Sequence, residues 1–354
     1  MRFVRSGVLL LALDLALPLG IFLAAEGAFR VYRTHAADPP VPRLFPQPVT
    51  TAKYLAYRAL ANEGAPLDVL LFGLSQMQRV NARQVEEGVE ATGYPPISVF
   101  NFGGPFQSVI FTEHLLHEIL LKLSRPLVIV YGFLPISLIY ESERTATDSL
   151  VRGLPVFAAY AGTPGSLLNR ALLHTSDLLL YREVIRDRLL LRPPVENSSA
   201  LQMARDTDRL GDVRWPVADR RVRGLTSLEQ DYAKRFKKFD DMMLTNPLFD
   251  DLAHFAAFCK AEGIRLVVVN NTVHPLFMQM LPRGEEDYRR FTDRLRLVAS
   301  QEGALFFDPA GDGIGRPAFF YDTHHHSNAG TQWLGKQLGR FLVDSGVLDE
   351  DTPQ

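Results

Sequence analysis

Five short apolar runs constrain this chain more than anything else in it: DVLLFG (68–73), ISVFNFG (97–103), LVIVYGF (127–133), IRLVVVNN (264–271) and ALFFDP (304–309). Each is rich in Val, Ile, Leu and Phe, and most are separated by segments of helical period such as ARQVEEGVEATG and FTEHLLHEILLKL. Near-continuous apolar strands alternating with helices predict a parallel sheet covered on both faces, hence an α/β body. The 354 residues suffice for one large domain or two small ones. A long stretch, about 140–245, breaks the alternation and reads as a mostly helical insertion beside the sheet's C-terminal edge, with 346–354 left as a tail.

The N-terminus carries a second strong pattern. Arg2 and Arg5 precede a run of 19 residues, Gly7 to Ala25, that is uncharged except at Asp14. At ~1.5 Å per residue it spans ~29 Å, about one hydrocarbon thickness. Asp14 costs roughly 2.5–3.5 kcal/mol near the centre of a span, and each Leu, Val, Ile or Phe returns about 0.3–0.6. Eleven such residues outweigh it. A cleaved signal and a buried helix are the other readings, but Leu23 at −3 from Ala25 and Glu26 at −3 from Ala28 make poor cleavage sites. Residues 1–33 are therefore expected to be a single-pass membrane anchor, with the body extracytoplasmic or periplasmic. Residues 34–66, opening with the proline-rich HAADPPVPRLFPQPVTT, are expected to be a linker before a body at 67–345. A formal net charge of −2 offers no phosphate-neutralising surface, so no nucleic-acid partner is expected. The single cysteine, Cys259, cannot form an intrachain disulfide and reads as core.

Ligands of open parallel sheets bind outside the carboxyl ends of the strands. The first strand ends in LFGLSQMQRVN, where Gly73 permits a tight turn and Ser75 follows where a helix can begin. Either Ser75 caps that helix or its hydroxyl is exposed as a nucleophile. After the last strand comes YDTHHHSNAG, with Asp322 three residues before His325 and Gly330 near the start of a final helix. Three adjacent imidazoles could also be a metal tract, but no cysteine or carboxylate cluster stands at ligand spacing, and neither metal nor other cofactor is expected.

A G-x-S block after strand one and D-x-x-H-x-[NS]-x-x-G before the last helix resemble the SGNH (GDSL-like) hydrolase superfamily. The resemblance implies a flavodoxin-like three-layer α/β/α domain with a five-stranded, mostly parallel sheet, here behind one N-terminal transmembrane helix. It implies Ser75 as nucleophile, His325 as base and Asp322 as its orienting partner; His324 is the alternative base in a D-x-H register. The oxyanion hole is expected from the backbone of Ser75 and of Gly103 or Gly104 in VFNFGGPFQSV. The family's third block, G-x-N-D, is replaced by Gly132-Phe133-Leu134-Pro135, so Asn270 or Asn271 is the candidate substitute donor, unless both merely close their strand. Membrane-anchored bodies of this kind resemble proteins of cell-envelope polysaccharide O-acetylation and teichoic-acid D-alanyl transfer. The expected activity is an acyl ester hydrolase or O-acyltransferase acting on an extracytoplasmic glycan or envelope polymer. The rival is a catalytically weak accessory protein that binds the polymer or a membrane-bound acyltransferase. The arginines of DVRWPVADRRVRG (212–224) are a candidate contact to an anionic polymer or a solvated loop.

Overall fold

The computed structural model describes residues 20–31, 45, 47–105, 107–141, 206–213, 222–311 and 314–349. The five apolar runs form strands β1 (Val69–Gly73), β2 (Val99–Asn101), β3 (Val128–Phe133), β4 (Arg265–Asn270) and β5 (Leu305–Phe307). All pairs are parallel, in the order β2-β1-β3-β4-β5. The chain steps from β1 to one side for β2 and then returns to the other side for β3. The crevice between the carboxyl ends of β1 and β3 is thus the switch point where such sheets take ligands.

Successive residues of a strand face opposite sides. Leu70, Phe72, Phe100, Ile129, Tyr131 and Val268 pack on one face against helices α1 (Pro48–Asn62), α4 (Val109–Glu118), α8 (Leu248–Ala261) and α9 (Glu285–Gln301). Val69, Leu71, Val99, Val130 and Val267 pack on the other against α3 (Ala82–Glu90) and α10 (Asn328–Asp344). Both faces are covered, which is why these strands read as continuous apolar runs rather than alternating ones. α10 lies almost in contact with the backbone of α3: a Cβ on Gly339 would stand 2.2 Å from the Val85 carbonyl oxygen. That close packing anchors the helix before which Asp322 and His325 lie.

The expected linker, 34–66, needs correction. α1 lies inside it, and Val49, Tyr54, Tyr57 and Leu60 of that helix are buried. Pro48 stands at the helix start, where a missing N–H costs nothing, so the last proline of the expected spacer opens a helix instead, while residues 34–44 and 46 lie outside the described residues. The packed body begins by Phe45, which is itself buried against the core. Helix α5 (Ile136–Glu141) leads into the insertion, of which the described parts include α6 (Ser227–Arg235) and α7 (Phe239–Thr245), together with residues 206–213; the arginine-rich stretch at 214–221 lies outside the described residues. Residues 20–31 are helical, and among the described residues no helix is long and apolar enough to cross a membrane. Most of the expected anchor, residues 1–19, lies outside them.

Candidate active site

Ser75 owes its position to the turn before it. Gly73 has φ +129°, a conformation L side chains rarely adopt, and a Cβ there would sit 2.7 Å from the Gly132 carbonyl oxygen of β3. Leu74 is extended, and Ser75 opens the short helix α2 (Ser75–Gln78). The serine amide, as the first of that helix, has no intrahelical acceptor. Asn101 at the end of β2 holds the turn from below. Its side-chain amide donates to the Met77 carbonyl at 2.9 Å and also to that of Val80, while its oxygen accepts from the Gly103 amide at 2.8 Å. Beneath Asn101 lies the fully buried Lys53 of α1, whose ammonium donates to the Asn101 carbonyl and side-chain oxygens at 3.0 and 3.2 Å. Burial drives Lys53 down to about 7, against the attraction of Asp212 and Asp208.

At the far end of the sheet the loop 322–327 brings His325 to the same crevice. Ser75 Oγ and His325 Nε2 are 2.7 Å apart, and His325 Nδ1 and Asp322 Oδ2 are 2.7 Å apart. Asp322 Oδ1 also accepts the backbone amides of His324 and His325, at 3.0 and 2.7 Å. Burial disfavours its charge, but the hydrogen bonds it accepts from the His325 ring and the His324 amide outweigh this and hold the carboxyl below its usual range. An ionised carboxylate only accepts, so His325 Nδ1 must carry the proton and Nε2 presents a lone pair to the serine. Burial, then the repulsion of His324, lowers the His325 imidazole to about 4, with Asp322 opposing. The arrangement can therefore take a proton from Ser75 as its oxygen attacks an electrophile.

The other two histidines are held elsewhere. The buried His326 has Nε2 2.9 Å from the Thr272 hydroxyl, stacks on Phe320 at 4.9 Å, and offers its carbonyl to Arg79. Burial lowers it to about 3. His324, also buried, has Nδ1 3.2 Å from Thr323 Oγ1 and 3.5 Å from Glu229 Oε1. No contact joins it to Ser75, so the geometry places His325 there and not His324. Asp322, His324 and His325 do bring ligand-type atoms within 4.8 Å of one another. Two tetrahedral zinc ligands at ~2.0–2.1 Å from the ion stand roughly 3.3 Å apart; the 2.7 Å between Asp322 and His325 is the distance of a shared proton.

The expected oxyanion donors fare unevenly. The amides of Gly103 and Gly104 are both already engaged, the first with Asn101 Oδ1 at 2.8 Å and the second with the Gly73 carbonyl at 3.0 Å. Neither is free to meet an oxyanion, because the loop folds back on the Ser75 turn. Asn270 is also committed: its amide donates to Asp308 at 3.2 Å and its oxygen accepts from Tyr288 at 3.2 Å. Asn271 is different. It is fully buried, its side-chain oxygen and nitrogen have no partner among the described residues, and a Cβ on Gly132 would stand 2.5 Å from its nitrogen. Leu134, where the resemblance wants asparagine, is core.

Glu229 is the site residue that sequence reasoning missed. It lies on α6, in the insertion, and is buried at 1% exposure. Its Oε1 accepts the Thr323 amide at 3.0 Å and the Thr323 hydroxyl. Burial works against its charge, yet the nearby His324 ring and the hydrogen bonds from Thr323 and Thr226 hold the carboxyl at about 2. The one signal available, Thr226-x-x-Glu229, announces a helix start rather than a site.

No family model matches the chain, and no curated protein matches it in sequence. Among solved structures it is similar to a lipase/acylhydrolase from Enterococcus faecalis, at 12% identity and TM-score 0.39, over 79% of this chain and 96% of that one. It is also similar to a GDSL-like lipase from Bacteroides thetaiotaomicron, at 12% identity and TM-score 0.39, over 83% of this chain and 98% of that one.

Proposed function

We propose that the chain is a serine acyl hydrolase or acyltransferase of the SGNH type, working through Ser75, His325 and Asp322. The observation that carries this reading is the unbroken chain of contacts from Ser75 Oγ to His325 Nε2 and from His325 Nδ1 to Asp322, each 2.7 Å. His325 takes the serine proton as Oγ bonds to an acyl carbonyl. The tetrahedral intermediate collapses with release of the alcohol, which receives that proton. Water or a second hydroxyl then attacks the acyl-serine by the same route. Asp322 fixes the tautomer and stabilises the imidazolium that forms between the steps.

The donor set for the oxyanion is thin. The Ser75 amide is the surviving expected backbone donor, and Asn271 can add a second only if its amide turns from Gly132 toward Ser75. Loss of one such donor typically costs about 10²–10³ in rate. The reading of the substrate follows from this weakness together with the anchor expected at 1–33. The acceptor is a hydroxyl of an extracytoplasmic glycan or envelope polymer, which by alignment can contribute about 7–11 kcal/mol that the hole does not supply. The same weakness favours a second reading, an accessory protein that binds polymer or a membrane acyltransferase without turnover.

A serine-directed phosphonate separates the two. In the first reading the probe modifies Ser75, as mapped by peptide mass, and the label vanishes in Ser75→Ala. Absence of label under conditions that label a related esterase leaves the accessory reading. Given labelling, the partition of acyl groups between polymer and free acid as acceptor rises distinguishes transfer from hydrolysis.

A further inference from the structure

The loop that carries Asp322 and His325 is braced from outside its own element. Thr323, between the two, gives both its amide and its hydroxyl to Glu229 Oε1. An ionised carboxylate cannot donate, so the Thr323 hydroxyl must, and its oxygen is left to accept from His324 Nδ1 at 3.2 Å. A directed chain thus runs from His324 through Thr323 to Glu229. The His324 ring lies against that of His325, the centroids 4.2 Å apart, and Tyr232 stands edge-on to it at 6.2 Å. Glu229 and Tyr232 are three residues apart on α6 and so share a helix face. Glu229 Oε2 is held in turn by the Thr226 amide at 2.6 Å, within the capping box that starts α6.

We propose that Glu229 is a positioning residue for the Asp322–His325 pair, holding the loop through Thr323 and His324 so that His325 faces Ser75. The inference rests on the acyl-transfer reading of Ser75 and His325, and it assigns the insertion a task in that site. It also gives His324 a role: its protonated Nδ1 is turned into the brace, and the ring forms a wall that limits rotation of His325. A base displaced by about 1 Å can lose about 10²-fold in rate with substrate binding unaffected.

The test uses the full-length chain, 4-nitrophenyl acetate as substrate, and the low-field proton resonance of the His325 Nδ1–H bond to Asp322 in NMR. Glu229→Gln and Thr323→Val are each expected to lower kcat about 10–100-fold with KM within about twofold, and to broaden or remove the resonance. Acting on one connection, they should not add: the double variant should be no slower than the slower single one. Thr226→Ala, which removes the capping hydroxyl but leaves the Glu229–Thr323 contacts, should keep both the rate and the resonance. If Glu229→Gln fails to fold by circular dichroism, Thr323→Val alone still decides. Wild-type kcat and resonance in both variants, or fully additive losses, overturn the proposal. A wild-type chain that shows the resonance but neither turns over the ester nor labels at Ser75 sinks the acyl-transfer reading, while the fate of the resonance in the variants still decides for or against positioning by Glu229.

Discussion

The most exposed consequence of the site's electrostatics is its behaviour in acid. The base must be neutral to accept the serine proton, so activity is present above the His325 pKa in the folded chain and lost as pH falls through it. Burial and His324 push that value from 6.5 toward about 4, and the Asp322 carboxylate does not recover the difference. At about pH 5 an imidazole with a pKa near 4 is roughly nine-tenths neutral, whereas an ordinary one near 6.5 is only ~3% neutral. The two cases differ by about 30-fold in active base at that pH. The His325 side chain keeps 19% exposure, so some hydration remains and the midpoint belongs between about 4 and the ordinary value, near the lower end. The assay is the second-order rate of Ser75 phosphonylation by intact mass, from about pH 3.5 to 8 at constant ionic strength. A single acid limb well below 6 is expected, with the fold monitored by circular dichroism at each point. A limb at 6.5 or above in a folded chain would refute the reasoning, since it would mean that Asp322, not burial, governs the imidazole.

Among the three histidines, His325→Ala should slow Ser75 labelling by several orders of magnitude with the fold intact. His326→Ala should instead lower stability by about 1–3 kcal/mol in denaturant melts, because Thr272 and Phe320 lose their partner. Asn271→Ala should reduce kcat for ester cleavage by about 10²–10³ if its amide turns to the oxyanion, and Asn270→Ala should show up in the melting temperature rather than in kcat. Gly73→Ala should destabilise by more than about 1 kcal/mol and slow labelling together, since both the positive φ and the Gly132 carbonyl oppose a Cβ. The full-length chain should sediment with membranes and resist extraction by high salt; release by salt alone would contradict an apolar anchor at 1–33.

The strands were legible because a parallel sheet buried on both faces requires long apolar, β-branched runs wherever it passes, and Leu70 and Leu71 are apolar for opposite sides of the same layer. The Asp322–His325 pair was legible too, being a contact across three residues that any chain with this turn can make. The linker was misread from the same local logic: proline marks both a spacer and the first turn of a helix, and only the burial of Tyr54 and Tyr57 separates the two. The rest depended on where distant segments meet. Ser75 and His325 are 250 positions apart, and Thr323 and Glu229 are 94 apart; no spacing rule links them, and Glu229 reads as a helix cap whether or not a second partner waits on its other oxygen. Whether the amides of Gly103 and Gly104 are free turns on where Asn101 Oδ1 and the Gly73 carbonyl lie. A residue type states which groups a chain carries, but a hydrogen-bond donor is available or spent according to its neighbours in space, and only the folded chain determines those.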